Sequence, residues 1–234
     1  MNIISDLMRR VDPSSVDTAE TALQKIDAIE LLESCLDPRN REVMHAIAAD
    51  SNTHANGFHR ISFPSDSPSP VRIRLHTWPT GESKKDWRAV ADAHNHKWPF
   101  ASRILIGGLV HDIYAIELGR GDYQHFQHVS LGERYKLTHA GPAVLERVNV
   151  QVIDGGTIYR MLPETVHRVS PKNHQYSVTL VAELAPTREF TDVFADPNKH
   201  MDGAIKPAPL EVAELRSEFR RIIEVLRGVD TKAQ

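Results

Sequence analysis

The sequence predicts a mainly β protein, a sandwich or barrel of short strands with helical additions at both ends. Three observations carry this. From about Ile61 onward, short stretches of β-forming residues recur at regular spacing, with turn residues between them and no helical pattern interleaved. Ahead of them, residues 1–50 place apolar side chains at helical spacing. Behind them, "PLEVAELRSEFRRIIEVLRG" reads as one amphipathic helix.

The N-terminal helices come first. Asp17 to Glu20 has capping-box spacing. Ala19, Leu23, Ile26, Ile29 (or Glu30), Leu32 and Leu36 then approximate one stripe of period 3.6, which predicts a single helix. "DPRN" ends that helix and starts another, in which Val43, Met44, Ile47 and Ala48 share a face and His45 is left to solvent. A helix-turn-helix is disfavoured, because the link lacks a glycine-containing turn and its surroundings are not basic.

The strands follow the Pro/Ser loop "SFPSDSPSP". "VRIRLHTW" alternates Val71, Ile73 and Leu75 with Arg72, Arg74 and His76, so both arginines are expected in solvent, with either an alternative to Arg60 as a grip on an anionic ligand. "SRILIGGLVHDIYAIEL" is apolar and interrupted at Gly107-Gly108, which predicts a bend or hairpin. "DYQHFQHVSL", "AVLERVNVQVI", "GTIYRML" and "QYSVTLVAEL" complete the set. A long Pro-containing connection leads to the last helix, with Pro209 near its start and Gly228 at its end. Its stripe of Val212, Leu215, Phe219, Ile222 and Leu226 suits docking on the β-domain or on a second subunit.

The 234 residues suit one domain with additions, or at most two small domains. The net charge of −3 offers no basic face for nucleic acid. No run of about 18 apolar residues predicts a membrane span. Asp6, Arg9 and Arg10 come too early for a secretory signal. Cys35 is the single cysteine and lies at helical spacing with Leu31 and Leu32, which favours a buried small hydrophobe and a reducing cytoplasm.

Histidine is the unusual count, at 13. In "AHNHKWPFASRILIGGL", His94 and His96 stand two apart, so on an extended strand they project to the same side, about 7 Å apart at the backbone. Such a pair can bind one metal ion. "DGGTIYRMLPETVHRVS" adds a Gly-Gly turn, a short strand, Pro163 and then His167. The other histidines receive plainer accounts. His125 and His128 are three apart and face opposite ways on a strand. His111, His139 and His174 sit near predicted turns, with His139 an alternative third ligand.

The pattern Gly-x6-Pro-x3-His resembles the second cupin motif, and His-x-His followed by a strand and Gly107 resembles the first. "KWPFASR" carries no counterpart of the glutamate usual after the first motif. The second motif lacks its usual glycine after proline and is one residue shorter there. The chain is therefore similar to the three-histidine cupins, best known as thiol dioxygenases (cysteine dioxygenase and relatives). "VHRVS" resembles the third-ligand segment of that family, and Arg60 in "NGFHRISF" falls where its substrate-carboxylate arginine stands. The likeness covers roughly residues 55–185, with an insertion around "ESKKDWRAVAD". Two family features are missing. The cross-linking cysteine would fall near Phe100, and the Ser-x-His-x-Tyr strand corresponds to "SVTLV", which keeps Ser177 but has Thr179 and Val181. Cysteine itself is thereby put in doubt as the substrate.

The resemblance implies a cupin double-stranded β-helix (jelly-roll) barrel over 56–185, a helical segment over 1–55 and a C-terminal extension with one helix over 186–234. It implies a metal site at His94, His96 and His167. Fe(II) is the expected metal, with Zn, Ni or Mn as alternatives, because imidazole does not select among them. Three neutral ligands leave the dication uncancelled, which favours an anionic substrate. Arg60 is the expected grip on a carboxylate and Tyr159 an expected donor beside the metal, while Tyr159 and Arg160 should point to opposite sides of their strand. Trp98 and Phe100 wall the pocket or fill the core beside it. The expected partners are a small-molecule substrate and O2, and edge strands with extra helices suit a homodimer. The alternative functions are a non-oxidative isomerase or lyase with another divalent metal, and a ligand-binding cupin without catalysis.

Overall fold

The computed structural model describes residues 2–79, 91–131, 134–197, 204–205 and 209–228. Most of the segment read as an insertion, "ESKKDWRAVAD", lies outside the described residues.

Four short helices open the chain: α1 (Asn2–Arg10), α2 (Val16–Gln24), α3 (Ala28–Leu36) and α4 (Arg41–Ala49). The single helix predicted across Ala19 to Leu36 is broken in two. Asp27 caps α3 by accepting from the backbone N–H groups of Ile29 and Glu30. Arg103, from a strand beneath, donates to the carbonyls of Leu23 (3.2 Å) and Ile26 (2.9 Å). Those carbonyls lie at and just past the C-terminus of α2, where a partly buried cation is favoured. The cap of α2 is Ser15, not Asp17: its hydroxyl accepts from the Thr18 N–H. Asp37 and a 3-10 turn over Pro38–Asn40 separate α3 from α4 as "DPRN" predicts, and His45 is exposed.

The barrel strands are β1 (Asn52–Thr53), β2 (His59–Ser62), β3 (Arg72–Trp78), β4 (Ala93–His94), β5 (Phe100–Ile106), β6 (Gly108–Leu131), β7 (Arg134–Asp154), β8 (Ile158–Met161), β9 (Val166–Pro171), β10 (Ser177–Glu183), β11 (Thr191–Ala195) and β12 (Ala204–Ile205). One antiparallel sheet has the order β1-β2-β3-β10-β5-β8 and the other β11-β4-β9-β6-β7-β12. Number the eight strands β3 to β10 along the chain. The first sheet then holds strands one, eight, three and six, and the second holds two, seven, four and five. That order is a double Greek key, the jelly-roll barrel the sequence predicts.

The break at Gly107-Gly108 is neither a simple bend nor a hairpin. It is the corner where the chain leaves the first sheet as β5 and enters the second as β6. Gly107 has φ +72°, and a Cβ there would lie 2.3 Å from the Tyr176 carbonyl oxygen, so only glycine fits. The Ser177 hydroxyl locks the corner by donating to the Gly108 carbonyl (2.9 Å). The segments read as separate strands around 109–131 and 143–153 are parts of two long strands. Bulges in the β6–β7 ladder absorb their twist.

The main core lies outside the barrel. Ile61, Ile73, Leu75, Ala101, Val178, Leu180 and Ala182 face away from the second sheet and pack on Leu23, Leu31, Leu32, Met44 and Ile47 of the helices. The C-terminal helix α5 (Val212–Leu226) adds Leu215, Phe219, Ile222 and Ile223 to that layer, so its apolar face docks within the chain. Cys35 sits in this core, 5% exposed. Burial pushes its thiol up to about 11, the behaviour of an inert hydrophobe.

Because helices cover the apolar face of the first sheet, the other face lines the barrel. Across β3 and its neighbours the paired positions are Arg60 with His76, His76 with Thr179, Arg74 with Val181, and Val181 with Ser102. Arg74 is therefore an interior residue, 7% exposed, where solvent was expected. It donates to Glu183 at 2.9 Å, and Glu183 is itself 4% exposed. Arg72, at the strand's start, is exposed as expected and lies 5.3 Å over the Trp98 ring. Glu183→Ala would leave the Arg74 charge buried and unpaired. The expected loss is about 3–5 kcal/mol of stability, read by urea unfolding.

Candidate metal centre

β4 ends on His94, and its only partner in β9 is His167. The ladder thus sets two imidazoles side by side from positions 73 residues apart in the chain. His96 follows just past the strand. The ligand nitrogens of His94, His96 and His167 all lie within 4.8 Å of one another. Nε2 of His96 and Nε2 of His167 are 3.1 Å apart. That is the spacing of two donors on one cation with bonds near 2.1 Å and an angle near a right angle, about 3 Å. The three residues predicted as ligands are brought together. His139 is not among them: it is exposed and bonded to Gln124.

Burial keeps the three imidazoles neutral. It lowers the pKa of His94, against a raising hydrogen bond to the Asp92 carbonyl. It lowers His96 and His167 well below the ordinary value, and neighbouring imidazoles push the same way. A neutral ring keeps a lone pair for a metal. Nδ1 of His94 stands 3.0 Å from the Asp92 carbonyl oxygen, so it carries the proton and Nε2 is left for the cation. His167 is 2% exposed, whereas His94 and His96 are partly exposed, so solvent reaches the centre from the His-x-His side.

The residue between the two histidines fixes their backbone. Asn95 points away from them. Its amide donates to Asp192 Oδ2 (2.7 Å) and its side-chain oxygen accepts from the Asp192 N–H (2.7 Å). Its own N–H donates to the Asp192 carbonyl (3.1 Å). Asp192 is held in turn by His125 (2.7 Å) and Arg188 (2.7 Å). His125 is thus a buried structural partner, and sequence spacing gives no hint of the carboxylate it meets.

His111 was read as a turn residue and is not one. It lies within β6, 1% exposed, with Nδ1 3.0 Å from Nδ1 of His167. Burial brings its pKa down to about 3.

Tyr159 faces the barrel, half-buried, with its ring edge-on to His111 (5.0 Å) and to Phe100 (6.2 Å). Burial pushes its phenol up to about 12, against the hydroxyl of Ser102. Arg160 points the other way and binds Glu20 and Asp17 around α2. Phe100 stands edge-on against His96 at 5.0 Å. Arg60 lies on the interior face opposite His76. Burial, and then Arg74, bring its guanidinium down to about 10. Among the described residues its Nε has no hydrogen-bond partner, and neither have Nε2 of His76 and the Thr179 hydroxyl. In the sequence, the alternation of His76 with Leu75 marks a strand and carries no sign that its face is the barrel interior.

The donor set fits a divalent first-row metal: three neutral nitrogens with no carboxylate among them. No protein-family model matches the sequence, and no curated protein matches it. Several solved structures are similar at low identity. One is HppE in its Fe(II) form, 8% identical with a TM-score of 0.31, covering 57% of this chain and 55% of that one. The chain therefore spans about half of that protein. A cupin-like protein from Thermotoga maritima is 12% identical with a TM-score of 0.28, over 72% of this chain and 88% of that one. Procruciferin, an 11S globulin from Brassica napus, is 13% identical with a TM-score of 0.35, over 79% of this chain and 47% of that one. No helix among the described residues is long and apolar enough to cross a membrane. Strand order and donor geometry together make this chain a cupin-like jelly-roll barrel whose three converging histidines form a site suited to one metal ion.

Proposed function

We propose that the protein is a non-haem Fe(II)-dependent oxygenase acting on a small anionic metabolite that bears a thiol or a carboxylate. The observation that carries this reading is the convergence of His94, His96 and His167, a cluster with no carboxylate in it among the described residues. Bound there, Fe(II) supplies the capacity to take up O2 and deliver its oxygen to a chelated substrate. The chain's own groups hold, orient and shield. The Asp92 carbonyl orients the His94 ring. Arg60 stays charged at neutral pH, since about 10 is well above 7, and its partnerless Nε suits a bidentate carboxylate. Tyr159 keeps its proton at neutral pH and acts as a hydrogen-bond donor on the barrel wall. Phe100 and Trp98 exclude water beside His96. The resemblance to thiol dioxygenases supports oxygen chemistry, while Phe100, Thr179 and Val181 point away from cysteine as the substrate. A cytoplasmic setting and a homodimer built on sheet edges or helices belong to the same reading.

The test is anaerobic loading with Fe(II), followed by oxygen uptake with a panel of small thiols and carboxylates. About one iron per chain and substrate-dependent uptake are expected. Arg60→Ala should raise KM about 100-fold with iron content unchanged, the loss of a charge-assisted bidentate contact. A protein that takes up no iron would end the reading. Turnover without O2 on Zn, Ni or Mn would instead favour an isomerase or lyase at the same ligands.

A further inference from the structure

The fourth histidine of the centre has no function in the reading above beyond its contact with a ligand. His111 comes from β6, 56 residues before His167, and the β6–β9 ladder sets it beside that ring. Its burial is nearly complete, and its Nε2 has no hydrogen-bond partner among the described residues. A leucine at this position would avoid that loss, since a buried unsatisfied polar nitrogen is unfavourable. The one contact that accounts for an imidazole is the one to Nδ1 of His167 at 3.0 Å. Two facing nitrogens at that distance share one proton. Nε2 of His167 faces His96 Nε2 and belongs to the metal side of the ring. With a cation there, Nε2 must present its lone pair, so the proton of His167 sits on Nδ1 and His111 Nδ1 must accept it.

We infer that His111 is a positioning residue for the third ligand: by accepting the Nδ1–H of His167 it holds that ring in the orientation and tautomer that present Nε2 to the metal. The acceptor is neutral, as is the Asp92 carbonyl that plays the same part for His94. A carboxylate acceptor would draw the ligand toward imidazolate and soften the charge on the cation. Neutral acceptors leave it whole, consistent with a ligand set that contains no acid. This inference rests on the metal-site reading and is independent of oxygen chemistry.

The experiment uses the full chain with Zn(II) alone. Affinity is measured by competition with a chromophoric chelator, alongside the melting temperature of the apo form. His111→Leu removes the acceptor, and His111→Gln restores one through its amide oxygen. The leucine variant should bind Zn(II) about 10–100-fold more weakly, with the glutamine variant recovering most of the loss. Nitrogen-15 NMR of histidine-labelled, Zn-loaded wild type should show His167 protonated at Nδ1 and coupled through a hydrogen bond to His111. Wild-type affinity in the leucine variant, or a His167 proton on Nε2, overturns the inference. Should the leucine variant fail to fold, the glutamine variant and the wild-type spectrum still decide it. Wild type that binds no Zn(II) overturns it together with the metal site, whereas zinc binding without iron-dependent oxygen uptake removes only the oxygenase reading.

Discussion

Replacing His94, His96 or His167 by Ala is expected to abolish stoichiometric metal binding. Each of the three supplies one of three neutral donors converging within 4.8 Å, and no acid belongs to that cluster among the described residues. Loss of a supporting partner of a ligand weakens affinity by about 10–100-fold. Loss of a ligand from a site with only three should exceed that, so at least about 100-fold is expected. Folding is a separate matter. Three imidazoles held together without a metal desolvate one another, so removing one should leave the apo melting temperature level or raised. The stabilisation that metal adds to wild type, about 2.7 kcal/mol at 100 times Kd, should vanish in each variant. Elemental analysis and melting curves with and without metal measure both effects. His139→Ala and His174→Ala, at exposed positions, serve as controls. One metal per chain retained in His94→Ala would remove the site.

The apo protein is expected to unfold in mild acid, and bound metal to protect it. His111 and His167 are 1% and 2% exposed, and burial lowers both pKa values, that of His111 to about 3. In the unfolded chain both titrate near 6.5. Above that pH neither state binds the proton and their contribution is constant. As pH falls below 6.5, the unfolded state takes up protons that the folded state refuses, and stability drops toward the folded pKa. Each such group removes about 1.4 kcal/mol per pH unit. For His111, held at about 3 in the fold, two units of acid then remove roughly 2.7 kcal/mol, and His167 adds in the same direction. His94 and His96 push the same way. Urea midpoints measured from pH 7.5 to 4.5 should fall steeply below 6.5, less so in a His111→Leu variant. Midpoints flat over that range would mean that these imidazoles are not buried neutral.

How much of this was legible in the chain follows from how local each signal is. The His-x-His pair and the Gly-x6-Pro-x3-His segment each fit within a turn and a strand, so their spacing carries their meaning. The capping of α3 by Asp27 was equally local, yet the stripe of period 3.6 ran through it and concealed the break. Arg103 decides that break from 77 residues away, by taking the Ile26 carbonyl. Asn95 reads as a spacer between two ligands until Asp192 arrives from 97 positions later.

The sequence by itself pointed to the strand-rich barrel and the flanking helices, because periodicity acts over a few residues, and its resemblance to the cupin motifs singled out the three histidines that converge. Tertiary structure decided which face of β3 is the inside. Alternation separates Ile73 and Leu75 from Arg74 and His76, but it cannot tell a helix-covered face from a barrel interior when both are buried. It also decided which of the remaining histidines matter. His111 meets His167 only through the ladder between β6 and β9, a pairing set by the whole jelly roll and by no residue near either histidine.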